Sequence, residues 1–124
     1  MYMFRYYGQT RSRKDGPSGV SRNELEKLVL MELGKSLYEQ PVSRVTQRVM
    51  LNIKSRLTPY DLVLIPKGNT GSEERIKNDI RWARKTLLKH GYLSHYSCHG
   101  YWRLTDKGRR YAERLTQRFA SEYD

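Results

Sequence analysis

Residues 90–108 read HGYLSHYSCHGYWRLTDKG, and this stretch decides how the fold is interpreted. Before it the apolar residues recur with a helical period, and within it they begin to alternate, which favours extended strands. Gly91 tolerates the left-handed conformation that ends many helices, and Gly100 lies where a two-stranded hairpin would turn. Thr105 is a typical N-cap for a further helix. The stretch therefore predicts a helix end, a β-hairpin over about 92–105 and a new helix start.

The segment before the hairpin, residues 72–90, carries the clearest helical pattern of the chain. Four apolar side chains fall on one narrow arc of a helix: Ile76, Ile80, Ala83 and Leu87. The opposite arc carries an amide and three cations: Asn78, Arg81, Lys85 and Lys89. Ser72 is expected to cap this helix, with Glu73 and Glu74 in its first turn at the positive end of the helix dipole. Such a polar arc is typical either of a solvated face or of a helix that lies in a nucleic-acid groove.

Two shorter helices are predicted upstream. Ser21 and Glu24 form the capping box SRNE, which predicts a first helix that starts at Ser21. Pro41 biases Gln40 toward an extended conformation, so a short extended piece is expected there. A second helix is expected to start near Ser43.

The order of elements indicates the fold class. Thr58 and Pro59 start a short helical turn, which the loop PKGNTG ends. The complete order predicts an α+β, mainly α fold: a winged helix-turn-helix with a three-helix core, a β-hairpin wing and a C-terminal helix. The expected organisation is a flexible basic N-terminal arm over residues 1–20, the winged-helix domain over 21–120 and a C-terminal tail over 121–124.

The charge of the chain limits its partners. The 124 residues include 24 Lys and Arg against 13 Asp and Glu, a formal net charge of +11. The surplus is concentrated in residues 1–19, 41–57 and 72–110, which carry +3, +4 and +6. A surface charged only for solubility would mix its signs more evenly, so this distribution favours a face that binds nucleic acid. On charge alone, an acidic membrane or an acidic protein remains an alternative partner.

Three local motifs carry a family resemblance: an aromatic-Ala-basic helix centre, a leucine-rich helix end, and a Gly-x-Trp-x-Leu-Thr-x-x-Gly run. In this chain they are Trp82-Ala83-Arg84, Leu87-Leu88 before Gly91-Tyr92-Leu93, and Gly100-Tyr101-Trp102-Arg103-Leu104-Thr105 before Gly108. Together they resemble the N-terminal winged-helix domain of Mrr-type restriction endonucleases, over residues 22–118 with 72–115 as the specific part. The resemblance implies a DNA-reading helix at residues 72–90 and structural roles for Trp102 and Gly108.

The full-length enzymes of that family append a nuclease domain of the PD-(D/E)xK type. That domain needs acidic metal ligands and a Glu/Gln-x-Lys strand, and this chain contains no Glu-x-Lys or Gln-x-Lys sequence. The resemblance therefore implies the DNA-reading part without the cutting part, and no enzyme activity is expected. A transcription regulator, a DNA-binding subunit of a restriction-modification system and an excised domain all fit this pattern.

The histidines and the single cysteine raise the question of a metal site. Cys98 and His99 are adjacent, which would point them to opposite faces of a strand. A structural zinc site usually draws its ligands from two separated pairs. No metal or other cofactor is therefore expected, and His95 and His99 are interpreted as wing residues that meet phosphate when protonated.

The function expected is duplex DNA binding, with the helix over about 72–90 in the major groove and the wing beside the backbone. Ten residues are expected to contact DNA: Arg44, Arg48, Ser72, Arg75, Asn78, Arg81, Lys85, His95, His99 and Arg103. The alternative is a structural RNA-binding or ribosome-associated protein, whose charge and size fit equally well. A third hypothesis is an adaptor that uses the fold for protein contacts alone.

The sequence also leads to expectations about the oligomeric state and the cellular location of the protein. A homodimer through the terminal helices would use Tyr111, Leu115 and Phe119. No apolar run is long enough to span a membrane, and no signal-peptide pattern occurs. The lone cysteine permits no disulfide within the chain, which is typical of a reducing compartment. The protein is therefore expected in the cytoplasm, associated with the nucleoid.

Overall fold

The computed structural model describes residues 18–123, with side chains through Phe119. Its helices are α1 (Arg22–Gly34), α2 (Val42–Ile53), α3 (Pro59–Leu62), α4 (Arg75–Lys89) and α5 (Asp106–Tyr123). Its strands are β1 (Gln40–Pro41), β2 (Leu64–Pro66), β3 (Ser72–Glu74) and β4 (Tyr101–Trp102). The strands pair as two small antiparallel sheets, β1 with β4 and β2 with β3. This is the predicted α+β, winged-helix-like class. None of the helices in the described part is long and apolar enough to cross a membrane.

The core is built around α1, which packs against α2, α4 and α5. Apolar side chains recur at helical spacing on all four helices and are almost fully buried. They are Leu25, Val29, Leu30 and Leu33 of α1, Val45, Val49 and Ile53 of α2, Ile76, Ile80, Ala83 and Leu87 of α4, and Ala112 and Leu115 of α5. Burial of each large aliphatic side chain contributes about 1.5–3 kcal/mol, so this core holds α4 firmly in place. The apolar arc predicted for α4 is confirmed.

Local capping signals set several helix ends as predicted. The Ser21 hydroxyl accepts a hydrogen bond from the Glu24 amide at 3.1 Å, and Glu24 Oε1 accepts one from the Ser21 amide at 3.3 Å. Pro59 occupies the first turn of α3 after the Thr58 N-cap. Gly91 has a φ of 79°, so α4 is followed by the left-handed residue that the sequence indicated.

The start of α4 differs from the prediction. Ser72 does not cap the helix, because Ser72–Glu74 forms β3 and α4 begins only at Arg75. The N-cap position falls on Glu74, whose side chain makes no capping hydrogen bond. The Arg75 amide instead donates to the Val63 carbonyl at 2.8 Å. The acidic residues expected in the first turn therefore lie on a strand.

A second hairpin, which we call the β2–β3 hairpin, accounts for this difference. It pairs Leu64 with Glu74, Ile65 with Glu73 and Pro66 with Ser72. Ile65 is buried at 3% exposure and anchors the hairpin. Gly68 and Gly71 have φ values of 53° and 106°, which let the chain reverse within the tip, residues 67–71. The loop PKGNTG was predicted, but the strands on either side of it were not.

The wing is less regular than the two-stranded hairpin that the sequence predicted. Leu93 and Leu104 form an isolated antiparallel bridge, and both are buried. Residues 94–100, which we call the wing loop, form turns, and Gly100 has the positive φ expected of the turn position. β4 pairs not with residues before the turn but with β1. The bridge leucines face the core, whereas residues 94–99 offer no aliphatic side chain to hold a longer strand in register.

The folded domain begins before residue 21. Val20 is buried at 4% exposure, although it was assigned to the N-terminal arm. The Gly19 amide donates to Asp61 Oδ2 at 3.0 Å, and Arg56 Nη2 donates to the Gly19 carbonyl at 2.9 Å. These contacts fix the backbone of Gly19 against α3 and the turn that precedes it.

The other end of the domain also extends beyond the prediction. α5 continues through Tyr123, so residues 121–123, expected as a tail, are helical. The rest of the predicted N-terminal arm, residues 1–17, lies outside the described residues.

Candidate nucleic-acid interface

The polar face of α4 presents two cations to solvent. Lys85 and Lys89 are exposed and lie opposite the buried arc, as predicted. The Lys85 ammonium lies 4.5 Å from the centroid of the Trp82 ring, and that ring is itself 41% exposed. Both side chains are therefore available to a ligand that approaches α4 from outside.

Arg81 is not the free cation that the sequence indicated. Its Nη1 donates to Glu73 Oε1 at 2.6 Å, and its Nη2 donates to Glu73 Oε2. Nη2 also donates to Asn78 Oδ1 at 3.3 Å. The Glu73 side chain is only 8% exposed, whereas that of Arg81 is 42% exposed. The β2–β3 hairpin brings this carboxylate to α4, so the charge of Arg81 is largely compensated within the protein.

A cleft between α4 and the wing loop, here called the wing cleft, collects several of the predicted residues. It has a volume of about 500 Å³. It is lined by Val42, Arg81, Arg84, His95, Ser97, Cys98, His99, Gly100, Tyr101 and Trp102. The predicted residues among them, Arg81, His95 and His99, are thus brought together. Trp102 is buried at 3% exposure, so it forms the floor of the cleft rather than its rim.

Arg84 is a wing-cleft residue that the site prediction missed. Its guanidinium carbon lies 5.9 Å from the centroid of the Trp102 ring. Its Nε is buried and has no hydrogen-bond partner in the described part of the chain. Arg84 follows Arg81 by three residues, which places both on neighbouring positions of one helix side. The three-residue spacing from Arg81 is the sequence signal from which Arg84 could have been predicted as a site residue.

A second groove, here called the hairpin groove, lies between α2 and the start of α4. It has a volume of about 850 Å³. It is lined by Val42, Ser43, Thr46, Gln47, Met50, Lys67, Gly68, Glu73, Glu74, Lys77 and Arg81. Lys67 at the hairpin tip is exposed, and Lys77 lies 3.8 Å from Glu74. Lys67 could not be selected from the sequence, because its position depends on the β2–β3 pairing.

Other predicted contact residues lie elsewhere. Arg44 and Arg48 are exposed on α2, but the hairpin groove is lined by a different side of that helix. Ser72 is exposed on β3 opposite Pro66. Arg75 packs over the Tyr60 ring, with 4.5 Å between its guanidinium carbon and the ring centroid. The structure thus does not bring these four residues together with the wing cleft.

Arg103 keeps the position that the wing prediction gave it. It is exposed directly after β4, and its carbonyl accepts a hydrogen bond from the Ser94 amide at 2.8 Å. The backbone that carries the Arg103 side chain is therefore held to the other side of the wing by this hydrogen bond.

The residues predicted for a homodimer face are largely used within the chain. Leu115 is buried at 2% exposure. Tyr111 packs against Tyr92, with 5.0 Å between the ring centroids. Phe119 is 40% exposed. Leu115 therefore packs into the core and is not free for a partner, whereas the homodimer itself stays a prediction.

Cys98 and the histidines around it do not form a cluster of metal ligands. Cys98 is an exposed free thiol, and its amide lies 3.4 Å from Glu39 Oε2 as a hydrogen-bond donor. Within residues 18–123, no three His, Cys, Asp or Glu side chains come together in a way that could hold a metal ion.

Architecture and charge define this protein as a winged-helix-like domain with a cationic cleft beside the core-packed helix α4. The chain belongs to the family of the Mrr N-terminal domain, which matches residues 23–114. The matched region includes no nuclease domain, and it relates the chain to restriction-system proteins. Neither a curated protein nor a solved structure matches the chain significantly.

Proposed function

We propose that this protein binds duplex DNA, with α4 at the major groove and the wing loop beside the phosphate backbone. The observation that carries the proposal is the wing cleft, which gathers four basic side chains on one flank of α4. They are Arg81, Arg84, His95 and His99. Exposed Lys85 and Lys89 continue this basic surface along the helix. A polyanion that lies along α4 would meet cations over most of the length of the helix.

The side chains in this surface have different proposed roles. Lys85 and Lys89 are long, exposed cations and suit phosphate contacts. Asn78 accepts a hydrogen bond from Arg81 through Oδ1, which leaves its amide nitrogen directed to other acceptors, such as a base edge. Arg81 keeps part of its guanidinium exposed, but its charge is shared with Glu73, so it serves to orient Asn78 as well as to contact DNA.

The proposal assigns binding without catalysis, in a regulator or DNA-binding subunit related to restriction systems. It is supported by the family match, which covers the N-terminal domain alone. Among the described residues the wing cleft holds histidines and arginines but no carboxylate, so it offers phosphate contacts rather than a set of metal ligands.

The test measures affinity for a labelled duplex by fluorescence anisotropy at several salt concentrations. Lys85→Ala and Lys89→Ala are expected to weaken binding and to lower the salt slope by about one unit each, as for lost phosphate contacts. Arg118→Ala is the charge-matched control, because it is exposed on α5, which packs on α1. Equal effects of all three substitutions would remove α4 as the binding helix, and tighter binding of a structured RNA would favour the RNA alternative.

A further inference from the structure

The wing cleft is a concave site of small-molecule size. Its volume of about 500 Å³ lies within the range of small-molecule sites, roughly 300–1,000 Å³. Trp102 at its floor is 3% exposed, whereas Tyr101, which also lines it, is 41% exposed. Duplex DNA is a stiff, convex rod, so its phosphates contact the rim of such a cleft rather than its floor. A ligand that fills the cleft is therefore smaller than a base-paired helix.

Arg84 supplies the cleft with a hydrogen-bond donor that the protein itself does not use. Its Nε is buried and has no hydrogen-bond partner in the part of the chain that the structure describes. Among the same residues, no carboxylate forms a salt bridge with Arg84, whereas both terminal nitrogens of Arg81 donate to Glu73. A buried N–H group without an acceptor is costly. A ligand oxygen inside the cleft would supply the missing acceptor.

The wing-loop side of the cleft is held in place by backbone hydrogen bonds. The Val42 amide donates to the Gly100 carbonyl at 2.9 Å, and the Tyr101 amide donates to the Cys98 carbonyl at 3.0 Å. Glu39 accepts from the Cys98 amide, but it does not line the cleft. The basic residues that do line it are Arg81, Arg84, His95 and His99. Within the described residues the cleft is thus a preformed site without a carboxylate, which favours an anionic ligand.

We propose that the wing cleft binds one unpaired nucleotide of DNA, with the phosphate at Arg84 and the base against the Tyr101 ring. A guanidinium group binds phosphate oxygens through charge-assisted hydrogen bonds. An exposed aromatic ring stacks on any base, because every base has a π-face. A paired base keeps both faces within the duplex stack, so only an unpaired nucleotide offers its base and its phosphate together. The inference rests on the proposed DNA binding and adds to it a preference for DNA that carries an unpaired nucleotide.

The experiment compares three labelled duplexes of one sequence by fluorescence anisotropy with the full-length chain. One is fully paired, one carries a single bulged thymidine, and one ends in a one-nucleotide overhang with a 5′-phosphate. DNA with an unpaired nucleotide is expected to bind about tenfold more tightly than the paired duplex, as for one stacked base. A gain for the bulge alone assigns the cleft to an internal nucleotide, and a gain for the overhang alone assigns it to a strand end. Equal affinity for all three would overturn the proposal.

Two cleft variants test whether the preference arises in the wing cleft. Arg84→Lys keeps the charge but lacks the Nε–H group, and Tyr101→Ala removes the exposed ring. The ratio of unpaired to paired affinity is compared within each variant, so that a general loss of DNA binding cancels, and both variants are expected to lose the preference. Arg118→Lys on α5 and Tyr96→Ala are the matched controls, because neither residue lines the cleft, although Tyr96 is 89% exposed. A preference that survives in both cleft variants would refute the site.

A titration without duplex DNA separates this inference from the DNA-binding proposal. Thymidine 5′-monophosphate is added to the full-length chain, and the imidazole NMR signals are followed. Those of His95 and His99 are expected to shift saturably, whereas that of His90, at the end of α4, is expected to stay constant.

The two proposals fail in different ways. Constant His95 and His99 signals, or equal affinity for inorganic phosphate, would refute the nucleotide site even if duplex DNA binds. Failure of every duplex to bind would refute the DNA-binding proposal even if the mononucleotide shifts both signals.

Discussion

The ion pair between Glu73 and Arg81 determines what a substitution at either position does. Arg81→Ala leaves the nearly buried Glu73 carboxylate without its partner, which is expected to cost about 1–3 kcal/mol of stability. Lys85→Ala, on the exposed face of the same helix, is expected to change stability by less than about 0.5 kcal/mol. Urea unfolding followed by circular dichroism measures both.

The double substitution Glu73→Leu with Arg81→Leu is the decisive control for that pair. Replacement of both partners by apolar residues removes the unpaired charge, so most of the loss seen with Arg81→Ala is expected to be recovered. If the Arg81→Ala protein is as stable as the parent, the ion pair between Glu73 and Arg81 does not contribute to the stability of the fold.

Gly108 allows the closest approach between α5 and the wing. A Cβ atom there would lie 2.0 Å from the Tyr92 carbonyl oxygen and 3.2 Å from Leu104 Cδ2. Gly108→Ala is therefore expected to destabilise the fold by about 1–3 kcal/mol, because backbone rather than a flexible side chain must move. Arg110→Ala, exposed on the same helix, is the matched substitution and is expected to be neutral. Comparable thermal midpoints for the two proteins would contradict the packing argument.

At the scale of elements, the wing depends on one buried ring. Trp102→Ala is expected to cost about 3–5 kcal/mol, because this side chain is 3% exposed and lies between the wing and Arg84. The neighbouring Tyr101 is 41% exposed and lines the wing cleft, so Tyr101→Ala is expected to preserve stability. Thermal unfolding compares the two. A normally stable Trp102→Ala protein would assign the ring to ligand contact instead.

The ion pair between Glu24 of α1 and Arg56 of the turn after α2 predicts that the stability of the fold depends on pH. Arg56 donates two hydrogen bonds of 2.8 Å to the Glu24 carboxylate and thereby lowers the pKa of Glu24 below 4.5, as does the Ser21 amide. The stabilisation is complete above pH 4.5 and is lost as the pH falls through the lower folded-state pKa. Both side chains are nearly half exposed, so solvent screens the pair and its contribution to stability is small.

Glu24→Gln tests this dependence, because glutamine does not titrate. The stability difference between parent and variant is expected to be largest near neutral pH and to shrink as the pH falls below 4.5. Glu113→Gln, on the exposed side of α5, is the control. A difference that grows on acidification would have the wrong sign.

Elements whose signals are local could be predicted from the sequence. The Ser21 capping box, the extended Gln40–Pro41, the Thr58-Pro59 start and the glycine end of α4 all depend on residues within one helical turn. The buried arc of α4 followed in the same way from its 3.6-residue period.

The β2–β3 hairpin could not be predicted in this way. Ser72, Glu73 and Glu74 fit a helix start as well as a strand, and the choice depends on pairing with Leu64–Pro66 across a loop. For the same reason Glu73 was expected in the first turn of α4, whereas in the structure it lies on β3 and accepts hydrogen bonds from Arg81. The contact roles of the wing residues and of Lys85 thus stay predictions, and the pairing of Arg81 with Glu73 could not be foreseen from the sequence.

For the whole molecule, the net charge of +11 predicts a strong dependence of DNA affinity on salt. The logarithm of the binding constant is expected to fall linearly with the logarithm of salt concentration, by about 0.9 per phosphate neutralised. In the same buffers, supercoiled DNA with magnesium or manganese is expected to remain uncut. Metal-dependent nicking that co-purifies with the protein and is abolished by Asp79→Asn would contradict binding without catalysis.

The two tryptophans give this protein two independent optical reporters. Trp82 is 41% exposed beneath the Lys85 ammonium, whereas Trp102 is 3% exposed below the wing cleft. Iodide reaches only an accessible indole, so the quenchable part of the fluorescence belongs to Trp82 and the protected part to Trp102. A ligand that covers α4 shields the first signal and leaves the second unchanged, and unfolding exposes both. One titration can therefore distinguish occupation of the helix from damage to the domain, without an attached dye.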